Sequence, residues 1–358
     1  MTPPRPSSGT PAGTPRAPRR GRLRRTLLAA LVAASVAVPV AGAAGATEVP
    51  APAPAVLAPL DSPTAGELAG RYAARRADIR AAARAADDTG AHRRAASLRR
   101  LADPARQFLS FDGREGGRTV EVFGDLARAG RTAVLVPGAD TSVDSYDRLR
   151  DGARALLDEL GEGAAVVAWV GYRTPATVST DAVTPDRADT GAAELIDFTA
   201  ELARIRPSAK VSLLCHSYGS VVCARAAYGL RADNLVVYGS PGTGVAHADA
   251  LGTRATVWAG RGSADWIGGV PHVSLELPLL TIGFGEDPMN PAYGARHFDA
   301  GDSDHSGYLK PGSRSLRNLA HIVAGTTGTT GTGADRPGSG AGPVRAAAHE
   351  DVRTPGHA

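Results

Sequence analysis

A chain of 358 residues has room for one large domain with tails or for two domains. Its formal net charge of +4 is set by its start: the first 25 residues carry seven arginines and no acidic residue, and without residues 1–46 the charge becomes −3. Basicity is therefore a property of the leader and excludes a nucleic-acid footprint, since no interleaved basic and aromatic patch follows in the body.

Residues 1–46 have the layout of a signal peptide. An Ala- and Val-rich run from Leu27 to about Ala46 follows the arginines, and Ala44-Gly45-Ala46 offers a cleavage site before Thr47. Arg24-Arg25 ahead of Thr26-Leu27-Leu28 resembles a twin-arginine signal, so both Sec and Tat routes are open. An uncleaved membrane anchor is the alternative, because the run approaches the roughly 20 residues that span a bilayer. Pro39, Gly42 and Gly45 weaken it. The expectation is a secreted or extracellular protein that meets a membrane only through this segment, if the segment is retained.

Residues 47–60 form a Pro/Ala linker, extended by the alternation Pro50-Ala51-Pro52-Ala53-Pro54. Residues 61–105 form a helical prefix dense in Ala and Arg, with Leu68, Tyr72, Ile79, Leu98 and Leu101 as its sparse large apolar positions. Packing on a core and a solvated helical hairpin are both compatible with that pattern.

From 106 to 325 the pattern becomes regular. Apolar runs of strand length recur at Phe108–Phe111, Thr119–Phe123, Thr132–Val136, Ala164–Val170, Val211–Leu214, Asn234–Tyr238 and Ala255–Ala259. Continuous apolarity marks strands buried on both faces. Segments such as Ser145–Leu160 and Thr190–Arg206 have helical length and period. The fold class is α/β: a mainly parallel central sheet with helices on both faces, opened by a hairpin at 108–123. Such sheets react at the carboxyl ends of their strands. Residues 326–358, rich in Gly, Thr, Pro and Ala, read as a disordered tail.

The fifth run ends in Cys215-His216-Ser217-Tyr218-Gly219-Ser220, with a helical pattern directly behind it. This looks like a nucleophile elbow, a tight strand-to-helix turn that exposes a serine oxygen above the sheet edge. The usual Gly-x-Ser-x-Gly signature is met at Gly219, with Cys215 in the first glycine's place. An ordinary serine-rich strand-to-helix turn without a nucleophile is the plain alternative. Cys215 and Cys223 are the only cysteines. With Cys223 about two turns into the following helix, their Cα separation is expected to exceed the roughly 7 Å limit of a bridge, which leaves two buried small hydrophobes.

A serine nucleophile needs a base and an acid that orients the base, in the chain order nucleophile, acid, histidine on this type of sheet. Asp265 lies just past the 255–259 strand, and His305 precedes the final helix at 315–323. Rivals are His216, His272, His297 and His321 for the base, and Asp233 and Asp249 for the acid. His216 adjoins the nucleophile, but neighbouring side chains on a turn diverge, which makes it a poor base. The Asp302-Ser303-Asp304-His305 cluster lacks a second ligand group with zinc or calcium spacing, so neither a metal nor another cofactor is expected. The oxyanion hole is assigned to the amide of Tyr218 and to that of Ala139 in the turn 136–140, each donor contributing roughly 3–4 kcal/mol when well placed.

With these residues in view, the chain resembles the α/β-hydrolase superfamily, and within it a secreted bacterial family of largely uncharacterised function. The marks are Val134-Leu135-Val136-Pro137-Gly138, Trp169-Val170-Gly171-Tyr172, His216-Ser217-Tyr218-Gly219-Ser220, Gly239-Ser240-Pro241-Gly242, Asp287-Pro288 with Pro291–Arg296, and His305-Ser306 with Tyr308-Leu309. Cys215 departs from the glycine usual there. The resemblance implies a hydrolase core and a triad of Ser217, Asp265 and His305. The reading is a secreted serine hydrolase, carboxylesterase or lipase-like, acting on a small-molecule or lipid-like ester. Residues 171–190 are expected to border the pocket, and 268–300, with Trp266, Leu275, Leu277, Leu279, Leu280 and Phe284, to form an apolar cap or pack in the core. A different class is an extracellular binding or scaffold protein that keeps the fold without turnover, and a third is a surface adhesion protein that uses the arginine-rich helical prefix.

Overall fold

The computed structural model describes residues 49–326 except 178, 180–185, 271–274, 278, 279 and 283, with the backbone alone for the remainder of 271–283. The expected signal segment 1–46 and the tail from 327 lie outside the described residues.

Eight strands form the main sheet: β1 (Gln107–Asp112), β2 (Arg118–Gly124), β3 (Arg131–Val136), β4 (Ala164–Val170), β5 (Lys210–His216), β6 (Asn234–Tyr238), β7 (Thr256–Gly260) and, after the short pair β8 (Leu275–Leu277) and β9 (Leu280–Ile282), β10 (Arg296–His297). Their spatial order is β1-β2-β4-β3-β5-β6-β7-β10. The β1–β2 and β2–β4 pairs are antiparallel, and every pair from β4 onward is parallel. The seven expected runs are the first seven strands. The β8–β9 hairpin and two-residue β10 were not among them, because strands of two or three residues are too short to show a period.

Both faces of the sheet are covered, and alternation along the strands shows how. Val134 and Val136 of β3 share a buried cluster with Leu213 and Cys215 of β5 and with Leu195, Phe198 and Val222. Ala133 and Leu135 point the other way, into a cluster with Leu214, Leu156, Leu316 and Leu319. The first set comes from α4 (Asp186–Ile205) and α5 (Tyr218–Ala226), the second from α3 (Asp147–Leu160) and α6 (Arg314–Ala324). The carboxyl ends of the strands therefore stand on a core filled from two sides, each fully buried Leu or Val contributing about 1.5–3 kcal/mol.

The prefix packs on the core. Helix α1 (Ala65–Asp88) starts at a capping box in which Thr64 and Glu67 satisfy each other's backbone amides, and α2 (His92–Leu101) returns beside it. Ile79, Ala82, Ala86, Leu98 and Leu101 bury with Phe108 and Phe111 of β1, while Leu68 and Tyr72 join the main core. Arg106, just past the prefix, forks onto Glu121 of β2 through Nε and Nη2, both at 2.6 Å. The linker is tied down too: the Ala55 N–H donates to Asp78 at 3.1 Å and its carbonyl accepts from Arg75 at 2.8 Å.

Candidate active site

Ser217 is where β5 must become α5, and its backbone takes the left-handed φ of 53° with ψ of −127°. A non-glycine residue there carries strain of order 1–3 kcal/mol, so the surroundings must enforce it. The Ser217 N–H donates to the Tyr238 carbonyl at 3.1 Å, and the Ser217 carbonyl accepts from the Ser220 N–H at 2.9 Å and the Ser220 hydroxyl at 2.6 Å. Two glycines let the backbones meet. A Cβ on Gly219 would stand 2.5 Å from the Val136 carbonyl oxygen, and one on Gly138 would stand 2.7 Å from Cβ of Ser217.

At Cys215 the sequence expectation fails. Cys215 and Cys223 form a disulfide with Cα atoms 6.4 Å apart, inside the limit that the sequence argument expected them to exceed. That argument counted helical turns away from Ser217. The sharp reversal at Ser217 instead lays α5 back alongside β5, and both cysteines bury in the same core cluster. Cys215 thus fills the first glycine's position while its side chain points into the core.

The side chains of Ser217, His305 and Asp265 form one hydrogen-bonded chain. His305 Nε2 lies 3.0 Å from Ser217 Oγ, and His305 Nδ1 lies 2.9 and 3.1 Å from the two Asp265 oxygens. An ionised carboxylate only accepts, so Asp265 fixes the proton of the neutral imidazole on Nδ1 and leaves Nε2 to accept from the serine hydroxyl. Asp265 follows β7 and caps the short 3-10 turn Trp266–Gly269, taking the Ile267 N–H at 2.9 Å; its Oδ2 also accepts from the Tyr308 hydroxyl at 2.6 Å. Burial works against its charge, but the bonds from His305, Tyr308 and the Ile267 amide outweigh burial and hold the carboxyl below its ordinary range.

The imidazole of His305 sits between two rings: His216, at 4.8 Å between centroids, and Trp266, at 4.7 Å. His216 does not reach the serine. Its Nε2 donates to the His305 main-chain carbonyl at 2.7 Å. Trp266 is 57 % exposed, and Phe284 is buried against the Tyr218 ring, so the two ends of the expected apolar cap differ in character. The cap's Leu275, Leu277, Leu279 and Leu280 lie outside the described side chains.

The turn assigned to the oxyanion hole lies against the elbow, as the Gly138 contact shows. Tyr172 donates its hydroxyl to the Pro137 carbonyl at 2.7 Å, and the Asp140 N–H donates to Pro175 at 2.9 Å, which ties the turn to the loop expected to border the pocket. Ala139 is half-buried and its N–H has no hydrogen-bond partner among the described residues. The Cβ position of Gly138 is 3.1 Å from the Tyr218 amide nitrogen, so the turn and that amide are neighbours.

The rivals fall elsewhere. Asp233 accepts the Val211 N–H at 2.8 Å at the opposite end of β5, Asp249 lies in a 3-10 turn, His297 is exposed on β10, and His321 bonds Thr326. His272 lies outside the described residues. Among the described residues no three His, Cys, Asp or Glu side chains gather as metal ligands, and no helix is long and apolar enough to cross a membrane. Tyr308 and the tethering bond of His216 escaped the sequence argument. The only available signal was their place beside His305 and Ser217 in the quoted motifs.

A family model described as Alpha/beta hydrolase matches residues 112–275, a span that holds Ser217 and Asp265 and stops before His305. An uncharacterized protein of Mycobacterium tuberculosis is 32% identical over 253 residues, covering 61% of this chain and 38% of its own length. The chain thus spans 38% of that relative. An uncharacterized protein of Mycobacterium bovis is 32% identical over 183 residues, covering 47% of this chain and 66% of the other. Among solved structures, an a/b serine hydrolase without lid from Xanthomonas campestris superposes with a TM-score of 0.40 at 20% identity, over 62% of this chain and 92% of that one.

Proposed function

We propose, from the match of residues 112–275 to an Alpha/beta hydrolase family model and from the site geometry, that this chain is a serine hydrolase of the α/β-hydrolase superfamily acting on acyl esters, carboxylesterase or lipase-like, with Ser217 as nucleophile, His305 as general base and Asp265 as the acid that orients it. One observation carries the reading: the continuous hydrogen-bonded chain from Ser217 Oγ through both nitrogens of His305 to Asp265, at 3.0 and 2.9 Å.

His305 takes the proton of Ser217 as Oγ attacks the ester carbonyl, and Asp265 steadies the imidazolium. The Tyr218 and Ala139 amides donate to the oxygen as it gains charge. His305 then protonates the leaving alcohol, and water, deprotonated by His305, releases the acyl group from Ser217. The substrate is a small-molecule or lipid-like ester, and Trp266, exposed beside His305, offers it an apolar contact. The Cys215–Cys223 bridge supports an exported protein, since disulfides persist in oxidising compartments.

The test is labelling with a fluorophosphonate and hydrolysis of p-nitrophenyl esters of increasing chain length, with Ser217→Ala in parallel. Labelling and turnover that vanish together in the variant establish the nucleophile, and the chain-length profile separates esterase from lipase. A folded wild-type protein that neither labels nor turns over would overturn the reading in favour of a non-catalytic binding protein.

A further inference from the structure

We propose that His216 is a positioning residue for the base: by donating from Nε2 to the His305 main-chain carbonyl and packing on its ring, it holds the imidazole of His305 in register with Ser217. The inference rests on the serine hydrolase reading above.

His305 needs an external tether. It lies between β10 and α6 in a loop of turns, and the segment 301–313 contains no helix or strand. Its side chain is bonded at both nitrogens, but those bonds orient the ring only if the backbone beneath it stays in place. The rest of the loop is fixed by the Ser263 N–H on the Gly301 carbonyl and by the Ser313 and Ser315 hydroxyls on the Tyr308 carbonyl, and the main-chain carbonyl of His305 itself is held by the 2.7 Å bond from His216. His216 is the last residue of β5 and the immediate neighbour of Ser217, so the strand that carries the nucleophile also carries the group that holds the base. Relative placement of the two reacting side chains is thereby referred to one rigid element, and errors of about 1 Å in such placement cost on the order of 100-fold in rate.

The slot around His216 is shaped for a ring. Tyr238, Tyr308 and His305 stand at 5.1, 5.8 and 4.8 Å from it between centroids. On the remaining side is Gly239, where a Cβ would come within 3.3 Å of His216 Nε2 and 3.0 Å of Asp265 Oδ2. The bond to a carbonyl requires the proton on Nε2, which leaves Nδ1 bare in the neutral ring. Neutrality also matters for turnover, because a charged His216 would face the His305 imidazolium at close range. The charged and titratable groups around it are His305, Asp265, Arg148, Tyr238 and Tyr308. Burial first, and then His305, lower the pKa of His216 to about 3, against the smaller opposing pull of the His305 carbonyl and Asp265.

The experiment compares His216→Phe, which keeps an aromatic volume without a donor, with His216→Gln, which restores an amide donor, in the full chain. The readouts are the rate of fluorophosphonate labelling, kcat and KM for p-nitrophenyl acetate, the pH profile of kcat/KM, and Tm. In His216→Phe, kcat and labelling fall on the order of 10- to 100-fold with KM within about 2-fold, and His216→Gln regains most of the loss. The pH profile of kcat/KM changes in the Phe variant and returns to the wild-type form in the Gln variant, a readout that packing alone would not move. Wild-type labelling with an equal rate in His216→Phe would overturn this inference alone. So would equal losses in both variants that track Tm. A folded wild-type protein without labelling would overturn the hydrolase reading and this inference with it. Should the Phe variant not fold, nitrogen NMR of wild-type His216 decides: a protonated Nε2 that does not titrate between pH 5 and 8 supports the role, and a titrating ring or a proton on Nδ1 overturns it.

Discussion

The hydroxyl of Tyr308 donates to Oδ2 of Asp265 at 2.6 Å while accepting the Gly262 N–H at 3.1 Å. Tyr308 is buried, and both burial and the neighbouring carboxylate push its phenol further above its ordinary range, so it remains a donor. The carboxylate that His305 bonds is therefore held from its other side by a phenol that is itself anchored to the Gly262 amide.

Tyr308→Phe removes one of the bonds that depress Asp265 and leaves the Gly262 amide without its acceptor. Loss of a buried hydrogen bond to a charged group costs about 1.5–3 kcal/mol. The sign with pH follows from the depressed carboxyl: its stabilisation is complete above the unfolded Asp pKa and is lost as pH falls through the lower folded value. The variant should be destabilised most near neutrality, and its gap to wild type should narrow in acid as both carboxyls protonate. Denaturant melts of the two proteins across that range check this, and a gap that widens in acid would contradict it.

Replacing both cysteines by alanine tests the bridge behind Ser217. The two positions are eight residues apart, and a loop of that size contributes about 2–3 kcal/mol through the unfolded state. At roughly 2–4 °C per kcal/mol for a domain of this size, Tm should fall by about 5–10 °C. Labelling of Ser217 should persist below that temperature, because Gly138 and Gly219, rather than the sulfurs, make room for the elbow. Labelling that disappears in a folded double variant would show that the bridge itself sets the nucleophile's geometry.

Much of this site was legible because it sits where strands end. Unbroken apolar runs announced strands buried on both faces, and the chain order expected of a nucleophile, acid and base on such a sheet singled out Ser217, Asp265 and His305, whose side chains the fold brings into one hydrogen-bonded chain. The chain direction after Ser217 was not legible, since a single φ of 53° decides whether Cys223 approaches Cys215 or leaves it. Whether α1 and α2 pack was equally hidden. Their apolar residues are sparse, and it is Phe108 and Phe111 of β1, far along the chain from Ile79, that complete their cluster. The divergence of neighbouring side chains turns His216 away from Ser217, but its bond to a backbone carbonyl 89 positions away leaves no local pattern.

Gly219→Ala should damage the protein more than an ordinary surface change, because the new Cβ would meet backbone oxygens of Val136 and Pro137 at 2.5 and 2.6 Å, and backbone cannot swing aside. Overpacking of this kind costs about 1–3 kcal/mol. Gly138→Ala presses instead on Cβ of Ser217 at 2.7 Å, so its larger effect should be on the reaction, with labelling slowed by on the order of 10-fold or more. Measuring Tm and labelling rate for both separates the two. Equal labelling by wild type and Gly138→Ala would place the oxyanion turn further from the nucleophile than this geometry has it.

Just past the prefix, one ion pair ties the chain to the sheet. The Arg106–Glu121 fork is almost wholly buried, with 7% and 2% of the two side chains exposed, and the guanidinium also lies over the rings of Phe108 and Tyr146 at 5.2 and 5.5 Å. Removing one member of a buried pair strands the other charge and costs about 3–5 kcal/mol, whereas replacing both by apolar residues of similar volume is often neutral. Glu121→Leu should therefore lower Tm sharply, and Arg106→Met added to it should restore most of the loss. Neither substitution touches Ser217, Asp265 or His305, so the folded double variant should label at the wild-type rate. If the second substitution deepens the loss instead, the pair is stabilising in its own right, and its hydrogen bonds outweigh the cost of taking two charges out of water.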